Sequence, residues 1–137
     1  MQEHKRWLEI AQVDIISARV LLKNELFTPV VFHCQQASEK VLKAYLAFKK
    51  FEILKTHDLV KLLVLCMKFD KTFETLREAA VWLNPFASKF RYPTEYDIPD
   101  LADAKFAIKH AQGIMNFVIK KIDELQTGQA NIFKIKK

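Results

Sequence analysis

From Lys5 to about Asn24 the apolar residues Leu8, Ala11, Ile15, Ala18 and Leu22 return at alternating steps of three and four. Glu9, Gln12, Arg19 and Lys23 fall off that stripe, which predicts a one-sided helix. Thr28 followed by Pro29 supplies a capping hydroxyl with proline at the first helical position, opening a second helix that runs to about Lys50. On it Val30, Cys34, Ala37, Val41, Ala44, Tyr45 and Phe48 share one face, and Phe32, Leu42 and Leu46 widen that face around the cylinder, so this helix is expected at the centre of the molecule. Its polar remainder is a strip of His33, Gln36, Lys40, Lys43 and Lys50, with Gln35 and Glu39 at the edge.

A third helix carries Leu59, Leu62, Leu63, Cys66 and Phe69, with Thr56 and Asp58 as candidate caps. A fourth follows Asp70-Lys71-Thr72 on the stripe Phe73, Leu76, Ala80 and Leu83, and Pro85 must kink or end it, because proline lacks the amide and crowds the preceding turn. The segment from Arg91 to Pro99 has two prolines and no helical period and reads as a loop. The fifth helix has the longest regular stripe, Leu101, Ala104, Ile108, Ala111, Met115, Val118, Ile122 and Leu125, with Gly128 expected to stop it. The prediction is an all-α fold, an up-and-down antiparallel bundle of about five helices, with the domain at residues 1–127 and a basic tail at 128–137.

Composition narrows the function. Two glycines and four prolines in 137 residues, half of them apolar, exclude both disorder and a turn-rich β sandwich, and leave one domain. The net charge of +6 is spread over every helix, which permits contact with phosphates without demanding it. Cys34 and Cys66 fall on apolar faces and read as core residues, not a disulfide. With no apolar leader and no spanning run, the expected location is cytoplasmic, with no membrane partner.

The chemistry that remains is cationic. Strict alternation of helix direction gathers Lys43 and Lys50, then Thr56, His57 and Asp58, then Arg91 and Tyr92 at one tip, where the free amides opening the third helix add an anion site. Such a cluster suits a nucleotide phosphate or an RNA backbone, with Tyr92 or Tyr96 stacking on a base. Purely structural roles compete with this: Arg91 paired with Glu39 or Asp97, and His57 as a cap. No glutamate precedes a histidine by three, so a di-metal bundle is excluded; His4, His33, His57 and His110 stand on separate segments, so no metal and no cofactor is expected. A glycine-rich phosphate loop is likewise missing.

Four sequence features together resemble the HEPN domain: Trp7 with Ala11, Asp14 and Ala18; Gln36-Ala37-Ser38-Glu39-Lys40 continuing to Lys43-Ala44; Thr56-His57-Asp58-Leu59; and Arg91-Tyr92-Pro93. The resemblance, from about Trp7 to Leu125, implies a bundle that forms a homodimer, commonly alongside a minimal nucleotidyltransferase as a toxin and antitoxin pair, or with bound nucleotide. Many relatives are metal-independent ribonucleases that carry Arg, four to six residues, then His. Here the three positions open to that histidine after Arg91 are Tyr96, Asp97 and Ile98. The expectation is therefore a non-catalytic module that holds a nucleotide of the ATP or GTP class, or RNA, through Lys43, His57, Arg91 and Tyr92. Gln36, Glu39 and Lys40 would form a supporting or dimer-facing strip. The alternatives are an atypical ribonuclease using Arg91 with His57, and a protein-interaction adaptor.

Overall fold

Helix α1 spans Glu3–Lys23 and α2 spans Phe27–Phe48 in the computed structural model, which describes residues 2–89 and 98–135. Both helices end alike. Glu25 and Lys50 take left-handed φ of 57° and 58°. The amides of Leu26 and Phe51 then reach back to the carbonyls of Leu21 and Leu46 at 3.0 and 2.9 Å, so the last carbonyls are satisfied without a glycine. The start of α2 differs from expectation. Leu26 holds the capping position with no side-chain cap, and Pro29 is the third helical residue, still within the first turn where no intrahelical amide bond is lost.

Helix α3 covers Leu59–Met67, and Asp58 caps it by accepting from the amides of Val60 and Lys61. A 3-10 turn at Lys71–Leu76 leads into α4, Arg77–Leu83, and a second at Asn84–Ala87 carries Pro85 out of it. Helix α5 runs over Leu101–Ile135. It passes through Gly128, expected to be its stop: one glycine costs about 1 kcal/mol in a helix interior, too little to end a helix this long.

The described residues thus form the expected all-α bundle, with five α-helices among them and α1 and α2 the most extensive pairing. The core runs through Ala11, Ile15, Ala18, Val41, Leu42, Leu62, Leu63, Leu83, Ile114 and Val118. Edge-to-face and tilted ring contacts link Phe51 to Phe69, Phe69 to Tyr45, Tyr45 to Phe73, and Phe73 to Phe117. That chain of rings also shows how α2 and α3 are related. Gln35 and Glu39 meet His57, Cys66 Sγ lies 3.7 Å from the carbonyl of Leu42, and Tyr45 meets Phe69, so positions on the two helices rise together.

This one step departs from strict alternation, and the connection explains it. The eight residues after Lys50 carry no regular helix and can span about 26 Å when extended. Returning from Phe48 to the level of Glu39 or Gln35 takes about 14–20 Å along the helix axis. The start of α3 therefore lies beside the middle of α2, not its end. Lys50 is left by the amino end of α1, lining a cleft with Gln2, Glu3 and Phe48.

Candidate functional site

On α2 the positions 35, 39 and 43 recur at one-turn spacing, and 36 and 40 lie beside them, so a polar seam runs down a helix that is otherwise buried. Two carboxylates organise this seam, and each joins a histidine to a lysine. Glu39 accepts from Lys43 Nζ at 2.9 Å on one oxygen and from His57 Nδ1 at 2.7 Å on the other. Asp14, contributed by α1, accepts from His33 Nδ1 at 2.9 Å and Lys40 Nζ at 2.6 Å.

The Glu39 cluster is the deeper at its base and the more open at its tip. The side chains of Glu39 and Lys43 are 5% and 7% exposed, whereas the imidazole they support is 73% exposed. Trp7 of α1 covers the Lys43 ammonium, 5.5 Å from its ring centroid, where the π face adds to the attraction of the carboxylate. Gln35, fully buried, donates from Nε2 to the His57 carbonyl at 2.9 Å and accepts at Oε1 from Gln36 Nε2 at 2.7 Å. His57 is thus held at both backbone and ring. Since a carboxylate only accepts, Nδ1 carries the proton of that bond, and the Nε2 edge is left to solvent.

Immediately after His57, Asn84 closes the start of α3. Its Oδ1 accepts from the Leu59 amide at 2.8 Å and its Nδ2 donates to Asp58 Oδ1 at 3.1 Å. With Val60 and Lys61 donating to Asp58 and the Leu62 amide donating to the Asp58 carbonyl, every amide opening α3 has a partner. The expected anion site on free amides is therefore absent here, because Asp58 and Asn84 supply the oxygens themselves.

Of the residues singled out from sequence, Lys43, His57 and Glu39 come together. Gln36 joins them through Gln35, and Lys40 serves Asp14 instead. Lys50 stands about 16 Å along α2 from Glu39 and takes no part. The start of α3 and the end of α4 do share a tip, through Asn84. Arg91 and Tyr92, expected at that tip, lie outside the described residues, as do Tyr96 and Asp97. Sequence reading passed over Asp14 and Gln35 as members of the site. The signal for both was an acid or amide set within an apolar stripe, Asp14 between Ala11 and Ala18 and Gln35 between Cys34 and Ala37, where it needs a partner to be buried.

Both cysteines are free and buried, and burial pushes their thiols up to about 12, so neither offers a nucleophile. Among the described residues no group of three or more His, Cys, Asp or Glu could hold a metal ion. None of their helices is long and apolar enough to cross a membrane.

The helical bundle that carries this site is a fold shared with known proteins. The model of the HEPN domain matches residues 4–122, and the chain belongs to the HEPN family. Among solved structures it is similar to TT1696 from Thermus thermophilus, with 27% identity over 88% of this chain and 99% of that one, at a TM-score of 0.78. It is also similar to ST0689, described as an archaeal HEPN homologue, with 25% identity over 89% of this chain and 99% of that one, at a TM-score of 0.73. No curated protein matches the chain.

Proposed function

We propose that this chain is a non-catalytic HEPN module that binds a nucleotide of the ATP or GTP class by its phosphates, as a homodimer acting with a minimal nucleotidyltransferase in a toxin–antitoxin-like pair. The observation that carries the nucleotide reading is the state of His57: exposed at its ring, yet fixed by Glu39 at Nδ1 and by Gln35 at its carbonyl. A surface side chain already held in place loses little further freedom on meeting a ligand, and its Nε2 offers a directed contact to a phosphate oxygen when protonated. Lys55 and Lys61, both exposed and close in sequence, make the surroundings favourable to an anion. Arg91 and Tyr92 are assigned the second phosphate contact and the base. Lys43 acts indirectly, as the cation bonded to Glu39 beneath the imidazole.

The absence of histidine at Tyr96, Asp97 and Ile98 supports the non-catalytic reading, and family membership supports the nucleotidyltransferase partner. Titration calorimetry of the full chain with ATP and GTP tests ligand binding: saturable heat is expected, weakened about tenfold, or ~1.4 kcal/mol, in His57→Ala. No heat and no thermal shift at millimolar nucleotide overturns it. Copurification of this chain with a minimal nucleotidyltransferase supports the partner, and failure to copurify overturns it.

One feature favours a second reading. A carboxylate on Nδ1 is also how an imidazole is oriented for proton transfer at Nε2, so His57 with Arg91 could cleave RNA. Cleavage of RNA that disappears in both His57→Ala and Arg91→Ala would establish it over simple binding.

A further inference from the structure

Helix α1 is apolar on two sides. Its inner side places Ala11, Ile15 and Ala18 in the core, and the opposite side carries Ile10, Val13, Ile16 and Val20, all outside the core cluster, with Val13 and Ile16 each 61% exposed. Single exposed aliphatics are ordinary, but four large ones on one helix face, at steps of three, three and four, form a continuous ridge of the sort that marks an interaction surface.

The ridge is close to symmetric about the point between Val13 and Ile16, with Ile10 and Val20 one residue out of exact register. A second α1 laid against it in the reverse direction sets Val13 on the partner's Ile16 and Ile10 on the partner's Val20, and the same contacts repeat by symmetry. In antiparallel two-fold packing, residues on the same flank of the ridge meet. Glu9 and Lys23 share one flank, which brings Glu9 within side-chain reach of the partner's Lys23, twice over. Among the described residues neither forms an ion pair within its own chain. Arg6 and Asn24 share the other flank. Asn24 Nδ2 is used on the Val20 carbonyl at 2.9 Å, leaving its Oδ1 to accept from the partner's Arg6. Lys5 stands on the same flank as Glu9 one turn earlier, near the level of the partner's Lys23, so Glu9 lies between two ammonium groups, one from each chain.

We infer that the solvent face of α1 is where two copies of this chain pair, antiparallel about a two-fold axis, with Val13 and Ile16 at the centre and Glu9–Lys23 ion pairs at the flank; this rests on the homodimer reading above. His57 lies on the segment leading to α3, and its hydrogen bonds run to α2 and not to α1, so the pairing does not use the imidazole.

Sedimentation equilibrium on the full chain tests it. A dimer is expected, and Val13→Glu and Ile16→Glu should each raise its dissociation constant about 100-fold with the helical circular dichroism unchanged. Glu9→Lys should weaken it about tenfold and Glu9→Lys with Lys23→Glu restore it, a recovery that lost folding could not produce. A wild-type chain that stays monomeric overturns the homodimer and this interface together. A wild-type dimer indifferent to both glutamate variants leaves the homodimer standing and overturns the α1 interface alone. A double charge swap that fails to restore pairing overturns the antiparallel arrangement.

Discussion

Asp14 and Glu39 each bind one histidine ring and one lysine ammonium, yet they sit in different kinds of structure. Asp14 spans two long helices that are already packed over most of their length, and its histidine, 30% exposed, comes from the same helix as its lysine. Glu39 reaches across to a segment with no helical hydrogen bonds of its own, and the ring it holds is largely in water. Removing Asp14 leaves α1 and α2 with their apolar contacts. Removing Glu39 releases the imidazole at the very residue where the incoming chain turns into α3. The same three chemical groups thus make a clip in one place and a mount in the other, and the mount presents the more open ring, 73% exposed against 30%.

The sharpest way to break the comparison is Glu39→Ala. It strands the Lys43 ammonium, nearly buried beneath Trp7, without its counter-charge, and a loss of about 3–5 kcal/mol in unfolding free energy is expected from urea titration. A loss below ~1 kcal/mol would mean that Lys43 swings to water and that the cluster is not a mount. Gln35→Leu comes next. It leaves the His57 carbonyl and the Gln36 amide without their partner, for about 2 kcal/mol, and amide exchange should quicken over residues 51–58 while α1 and α2 keep their protection. Equal quickening throughout the bundle would instead make Gln35 an ordinary core residue. Asp14→Ala is smaller, about 1–2 kcal/mol, because Lys40 and His33 both reach solvent once released. Nucleotide binding at His57 should survive it, and a binding loss equal to that of Glu39→Ala would erase the distinction between the clusters.

How far these clusters were visible beforehand depends on the range over which each contact is encoded. Glu39 and Lys43, four apart on one helix, are encoded by local spacing, although the sequence reading offered Glu39 to Arg91 instead; the grouping of Gln36, Glu39 and Lys40 divides, because Lys40 reaches across to Asp14 on α1. The stripes that end at Leu22, Phe48 and Leu83 likewise marked their helices. His57 beneath Glu39 was not legible, because it depends on how far the segment from Phe51 to Asp58 travels back along α2. Phe51, Ile53 and Leu54 are apolar without a helical period, a pattern that says the segment lies against the bundle but not in which direction. Gly128 misled for a related reason. Local propensity marks it as a stop, and the cooperative hydrogen bonding of a helix with 35 residues overrides a penalty of about 1 kcal/mol.

The remaining two histidines extend the comparison to rings with no carboxylate bonded to them. His4 packs edge-on against Phe48, and His110 lies among Trp82 and Phe106 with its Nε2 buried and without a partner. Burial holds both below the usual 6.5, helped by Lys5 at His4; at His110 Glu78 opposes the shift and Lys109 adds to it. The unfolded chain therefore takes up protons near pH 6.5 that the folded chain resists, so each ring costs stability as the pH falls below that value and nothing above it. His110→Phe keeps the aromatic packing and removes one of the two groups. Whatever its offset from the wild type at pH 8, the variant should gain on the wild type by pH 5, because it loses less stability between those values. Parallel curves for the two proteins, measured by urea titration at each pH, would show that the ring in the Trp82 pocket accepts its proton as easily folded as unfolded, and that burial without a carboxylate has no hold on it.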